Sequence, residues 1–444
     1  MKERRFQPSQ VLAASFALAI LAGTMLLLLP FSTRAGHLSF IDALFTSTSA
    51  ICVTGLIVKD TPVDFTLAGQ AIIILLIQAG GLGIMTLSTL ILLGAGGKIS
   101  IRDRFLVQEG FVPEGTRDFK SLVKRIFIFT MVSESAGCFF LFPRFLKSAA
   151  WPRALFSSLF HSVSAFCNAG FSTFSENLMS YRNDPVVNLT IVLLIVFGGL
   201  GFLVSQEVIG GVRSFFQKKK IRFSLQGKMV LSLTGWLILL SFLLLLALEW
   251  AGAFQAFSFG EKILASLFQS VTPRTAGFNT IDLATLSNAS VFLMILLMFI
   301  GASPGSTGGG VKTSTVGVVL AFLRSKIRSR DTVSAFFRTL PTDIIIKAFT
   351  VIALALGLIF MTTMAIFISQ PDLGMKDVFF EVFSGFGTVG LSLGITPRLN
   401  GLSKFMMVLI MYAGRIGPLT LLMVISRSRS VGRYEYIEER IMIG

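Results

Sequence analysis

Eight stretches of this chain are apolar over roughly 16–29 residues: 11–30, 67–95, 122–142, 186–211, 229–250, 286–301, 344–369 and 403–425. A helix of about 20 apolar residues spans the hydrocarbon core of a bilayer, so these runs predict membrane spans. The charge content agrees. Asp, Glu, Lys and Arg make up 14% of the 444 residues, against about 25% in a soluble chain, which excludes an ordinary cytosolic enzyme. The first run follows Met1-Lys-Glu-Arg-Arg, as the core of a signal peptide would. Signal peptides carry only about 7–15 apolar residues and close on an A-x-A site, so a retained anchor is expected here.

Between the two spans of each successive pair lies a shorter amphiphilic segment, at 41–56, 153–172, 261–280 and 376–392. Each is too short to cross, and a re-entrant turn is the natural reading. Basic residues orient the set. The segments 1–5, 97–125, 212–228, 323–347 and 427–444 hold 26 of the 39 Lys and Arg and 10 of the 23 acids, while the other loops come to a net −1. By the positive-inside rule the basic group is cytoplasmic. Both termini then lie inside, and the four short segments dip in from outside. The same loops attract anionic membrane lipid, which accounts for a net charge of +16 without invoking nucleic acid.

The four short segments share a pattern. They read Ser49-Ala-Ile-Cys-Val-Thr-Gly55-Leu, Ser164-Ala-Phe-Cys-Asn-Ala-Gly170-Phe, Thr272-Pro-Arg-Thr-Ala-Gly277-Phe and Ser384-Gly-Phe-Gly-Thr-Val-Gly390-Leu. The glycines fall 115, 107 and 113 residues apart, which predicts four parallel repeats about an axis along the membrane normal. Four inward-dipping loops around that axis leave a pore. A dehydrated cation needs oxygens in place of its water, and backbone carbonyls can supply them. Aiming carbonyls at an axis favours glycine, and Thr54, Ala169, Ala276 and Val389 keep the loops thin. No ring of Asp or Glu appears in these loops, so selectivity is expected from carbonyl geometry, which favours a monovalent cation such as potassium. Cys52 and Cys167 share one repeat position and read as small packers. With Cys138 they form no CxxC pair or disulfide framework. Only His37 and His161 offer imidazoles, so neither a resident metal site nor a catalytic triad is expected, and no covalent cofactor.

The third repeat is interrupted. From Asn288 to Leu323 a continuous helix would reach about 54 Å, far beyond a core of about 30 Å. Its middle reads Gly301-Ala-Ser303-Pro304-Gly305-Ser306-Thr307-Gly308-Gly309-Gly310-Val-Lys312, which cannot hold a helix. Irregular backbone at membrane depth survives where it lines a cavity or is buried in protein; a cytoplasmic loop is the competing reading. Arg415 lies deep inside the last span, facing a cavity, a partner or the interface. Glu134 and Glu207 are read as the only acids at depth, serving ordinary interhelical hydrogen bonds. Arg274, three residues before Gly277, either braces the third loop or repels cations at the mouth.

These features together resemble the Trk/Ktr/HKT superfamily of potassium transporters over essentially the whole chain, most closely its bacterial Ktr-type membrane subunit. The resemblance implies an all-α membrane fold: eight transmembrane helices and four re-entrant pore loops in four span–pore helix–span repeats around a central pore. The repeats would be 1–96, 97–212, 213–324 and 325–444, the last with the C-terminal tail. It implies a potassium filter at Gly55, Gly170, Gly277 and Gly390, an intramembrane gating loop over 301–312, and Arg415 as the family's pore arginine. It further implies potassium uptake across the cell membrane, stimulation by sodium, a homodimer, and a cytosolic nucleotide-binding ring subunit of RCK type. The second filter departs from Thr-Val-Gly as Asn168-Ala-Gly170. A proton- or sodium-coupled cation symporter on the same fold is the alternative.

Overall fold

The computed structural model describes residues 8–83, 119–219 and 223–425. The repeat boundary expected at 96/97, most of the basic loop 97–125 and the tail 427–444 lie outside the described residues.

Four described helices are long and apolar enough to cross a membrane. They are α1 (Pro8–Leu27), α4 (Phe119–Phe145), α8 (Leu225–Glu249) and α12 (Thr342–Ser369). Each is followed by a shorter helix: α2 (Phe40–Ile51), α5 (Trp151–Phe166), α9 (Phe259–Val271) and α13 (Met375–Gly387). After a loop comes a third helix: α3 (Leu67–Leu82), α6 (Pro185–Leu200), α10 (Asn288–Phe299) and α14 (Gly401–Ile416). Besides short helical turns in the loops, the described elements include α7 (Phe202–Phe216), α11 (Thr313–Ile327), a hairpin of β1 (Ser334–Ala335) and β2 (Arg338–Thr339), and α15 (Pro418–Ile425).

Burial is distributed as lipid solvation requires. The long helices expose large apolar side chains such as Leu18, Val132, Trp236 and Phe360, whereas Phe45, Phe160, Phe268 and Phe380 on the short helices are fully buried. The short helices therefore form the interior. Local chemistry sets their starts: Ser39 caps α2, and Ser258 and Glu261 make a reciprocal capping box on α9, satisfying amides that a helix start leaves orphaned.

The third helices differ from the continuous second spans that hydropathy predicts. The run 186–211 is two helices, α6 and α7, bent by 112° at Gly201. The run 403–425 divides at Gly417 into α14 and α15, and α10 stops at Phe299. Gly83, Gly201 and Gly417 all have positive φ, at 79°, 86° and 96°, which only glycine adopts freely. At the last break Pro418 also lacks the amide that would continue the helix. Close packing accompanies the breaks. A Cβ at Gly80, Gly198 or Gly414 would collide with the carbonyl oxygen of Ile51, Phe166 or Phe386 respectively, near the end of the neighbouring short helix. Small residues allow such backbone contact between membrane helices.

Candidate ion pathway

The short helices α2, α5, α9 and α13 each end in a loop carrying one of the sequence-marked glycines. The hydroxyl of Ser49 donates to the Leu56 carbonyl at 2.7 Å and accepts from the Gly55 amide at 3.0 Å. Ser164 Oγ donates to Phe171 O at 2.8 Å and Thr272 Oγ1 to Phe278 O at 2.5 Å. Ser384 Oγ accepts from the Gly390 amide at 3.0 Å. A buried hydroxyl in the last turns of each helix thus tethers the outgoing strand. These Ser and Thr residues open the four motifs, yet their bracing role is not readable without the geometry.

Two residues before each glycine the backbone turns left-handed: φ is 57° at Val53, 60° at Asn168, 68° at Thr275 and 50° at Thr388. β-branched residues rarely accept this conformation, and such strain persists where surrounding structure over-determines it. The glycines follow at φ 93°, 69°, 74° and 90° for Gly55, Gly170, Gly277 and Gly390.

These four glycines close a ring. A Cβ built on Gly55 would strike the carbonyl oxygen of Ala169; on Gly170, that of Ala276; on Gly277, that of Val389; on Gly390, that of Thr54. Each glycine therefore lies against the carbonyl preceding the next one, and the last returns to the first. A side chain is excluded at all four positions by backbone, which cannot swing aside. Far apart in sequence, Thr54, Ala169, Ala276 and Val389 come together here with their glycines.

Residues 301–312 lie beside this ring, largely buried. It is packed into the protein rather than projecting as an exposed loop. The Ser303 and Thr307 amides donate to Gly199 O and Gly198 O at 3.0 and 3.3 Å, and Gly305 O accepts from the Phe202 amide at 3.0 Å. On the other side the Gly310 amide donates to Gly414 O at 3.2 Å and the Gly309 amide to Thr388 Oγ1 at 2.9 Å. Thr307 Oγ1 donates to Phe166 O at 3.3 Å. The segment therefore bridges the breaks in α6–α7 and α14–α15. A Cβ on Gly308 would strike Thr275, and one on Gly309 Thr388, so the segment packs directly against two ring loops. Its own ends are held together by Gly301 N donating to Val311 O at 2.9 Å and Thr313 Oγ1 to Ser303 Oγ at 3.0 Å. Pro304 and Ser306 lie in the turn between. Lys312 Nζ donates to Gly308 O at 2.6 Å. Arg415 donates through its two terminal nitrogens to Thr307 O and to Gly80 O, joining the segment to α3.

Three other charged residues are placed. Arg274 is buried and donates to Thr234 Oγ1 of α8 at 3.1 Å, tying the third loop to that helix. Gln78 donates to Glu134 at 3.4 Å, and Glu207 accepts from the Ser224 amide at 3.1 Å. The reading that Glu134 and Glu207 are the only acids at depth is corrected. Glu381 of α13 is fully buried, accepts from Thr396 Oγ1, and leaves its second carboxylate oxygen without a partner among the described residues. Its signal was an acid between Val378, Val382 and Phe386 on the buried face. Asp42 of α2 is held by Lys404 of α14 at 2.7 Å, which links the last helical group to the first.

A bundle of long helices with apolar outer faces enclosing four short helices and irregular buried backbone defines a helical membrane protein. A family profile described as TrkH, cation transport protein, matches residues 3–433, and the chain belongs to that family. It is 43% identical over 418 residues to Ktr system potassium uptake protein B of Bacillus subtilis, covering 94% of this chain and 92% of that one. It is 37% identical to the potassium/sodium uptake protein NtpJ of Enterococcus hirae, covering 100% and 99%. Among solved structures, the potassium transporter TrkH from Vibrio parahaemolyticus matches with a TM-score of 0.72 at 22% identity, covering 96% of this chain and 86% of that one. That likeness supports the helical membrane fold.

Proposed function

We propose that this chain is the membrane subunit of a potassium uptake system, conducting the ion through a filter formed by Gly55, Gly170, Gly277 and Gly390 and the carbonyls that precede them. The ring closure carries the reading: four glycines with positive φ, each against the next loop's carbonyl. Carbonyl oxygens converging from four loops replace the hydration of a monovalent cation. The C-termini of α2, α5, α9 and α13 add negative partial charge near the same place. The chain is then four span–pore helix–span repeats, with the third helices as the start of the second spans and α7, α11 and α15 continuing three of them beyond their breaks.

In this reading 301–312 is a gate beside the filter. Its glycines let the backbone move, and Arg415 and Lys312 set a positive charge in a cation's path. A cytosolic nucleotide-binding ring subunit docks on the basic face and shifts the gate between states by differential binding; relatives named as members of a Ktr system support a partner. Two protomers, each with its own pore, form a dimer whose contact the tail 427–444 supports, and both termini are cytoplasmic. Sodium acts as an activator; the Enterococcus relative is named for potassium/sodium uptake, which brings sodium to a protein of the same family.

The test is rubidium uptake into potassium-depleted cells expressing the chain, with and without a sodium gradient. Uptake that saturates with rubidium, is inhibited by potassium, and rises with sodium is expected. Uptake no greater than in cells lacking the chain rejects the proposal.

A further inference from the structure

Elsewhere in the fold, α8, α11 and the β1–β2 hairpin line an open pocket of about 510 Å³ with an apolar wall and a polar rim. Its apolar wall includes Trp236 and Leu320, both on helix faces exposed toward lipid. From Met229 to Trp236 this wall runs about 10 Å along α8. The polar rim is formed by Arg324, Arg328 and Arg330. Among the described residues none of the three guanidiniums makes an ion pair, with Asp331 or any other acid.

The hairpin supplies a second, independent observation. Its register pairs Ser334 with Thr339 and Ala335 with Arg338, leaving Phe336 and Phe337 as a two-residue loop. Both have positive φ, at 49° and 62°. Such loops favour Asn-Gly or Gly-Gly, and bulky residues there are outliers. The Phe337 ring is fully exposed and the Phe336 ring partly so. Two strained aromatic residues held outward beside three unpaired arginines match the interfacial layer of a membrane, where rings sit at headgroup level and basic groups meet phosphate.

We propose that this pocket binds an anionic phospholipid, its headgroup phosphate on Arg324, Arg328 and Arg330 and one acyl chain along Trp236 and Leu320. The volume lies within the roughly 300–1,000 Å³ typical of ligand sites. A water-filled pocket would leave its apolar wall wet, and a neutral lipid would leave three cations unpaired. An acidic peptide would pair the cations but abandon the wall. Since α11 continues directly from residues 301–312, the lipid contacts the helix that carries one end of that segment.

The test titrates the purified full-length chain in detergent with phosphatidylglycerol or phosphatidylcholine and reads retained lipid by native mass spectrometry. Phosphatidylglycerol is retained preferentially. The Arg324→Gln/Arg328→Gln/Arg330→Gln variant loses affinity for it on the order of 100-fold, from about one basic contact per residue. A control with equal charge loss, Arg213→Gln/Lys218→Gln/Lys219→Gln, retains it as wild type does. Leu320→Trp, which fills the apolar half and leaves the arginines in place, shows the same loss as the first variant. Equal losses in both charge variants, wild-type binding by Leu320→Trp, or an acidic peptide that displaces phosphatidylglycerol and binds more tightly, overturns the proposal. Lipid retention is the readout, so the result does not depend on whether 301–312 gates the pathway.

Discussion

Gly390→Ser tests the proposed filter by separating two physical effects that this glycine combines. At Gly390 φ is 90°, and a Cβ would strike Thr54 O and lie 2.8 Å from the Gly55 Cα. A non-glycine residue held in the left-handed region costs about 1–3 kcal/mol, and forcing extra volume into tight packing costs roughly 1–3 more. Because the colliding atoms are backbone, the second cost is relieved only by moving the Thr54 carbonyl. Gly394 supplies the control: its φ is 95°, but a Cβ there meets nothing within 4 Å. Gly394→Ser carries the strain without the collision. Each variant is reconstituted in proteoliposomes, and rubidium uptake is measured against rising sodium. A displaced carbonyl that weakens ion coordination by about 1.4 kcal/mol lowers apparent affinity tenfold. Gly390→Ser is expected to lose at least about tenfold in rubidium affinity and to pass relatively more sodium, while Gly394→Ser keeps wild-type selectivity. If both variants behave alike, carbonyl displacement is not what selects the ion.

Three further outcomes follow from the same geometry. Arg415→Ala, and separately deletion of 303–309, should raise rubidium flux in proteoliposomes of the membrane subunit alone. A folded variant that conducts no faster than wild type removes the segment from gating. Ser49→Ala deletes two buried hydrogen bonds that tether the first loop and should cost about 1–3 kcal/mol, read as a lower melting temperature in detergent together with reduced potassium preference; an unchanged preference rejects the bracing role. Lys404→Met leaves Asp42 unpaired in a largely buried pair and should destabilise by about 3 kcal/mol, with Asp42→Asn/Lys404→Met recovering much of the loss in thermal unfolding.

The long helices were readable because a 20-residue apolar run admits few alternatives in a bilayer. Their partners were not, because hydropathy does not register a change of backbone direction. Gly-Gly-Leu-Gly at 80–83 and 198–201 and Gly-Arg-Ile-Gly at 414–417 end three helices in one way, but 41 glycines in the chain dilute such a signal. Aligned on those breaks, Arg415 stands where Gly81 and Gly199 stand, and only Arg415 of the three carries a side chain. The four glycines that close the ring were visible through their spacing, and the third-repeat interruption through length alone. Glu381 escaped notice because an acid in a short amphiphilic segment looks like a surface residue until its helix is seen to be interior. Burial of that kind depends on which helices surround it, and no local pattern carries the information.

The most direct test of the filter is to locate the ion. Crystals of the purified chain grown with rubidium or thallium report the ion's position by anomalous scattering. The account predicts a peak inside the ring bounded by the carbonyls of Thr54, Ala169, Ala276 and Val389, diminished when potassium replaces the heavier ion. Occupancy beside Glu381 with an empty ring would contradict it.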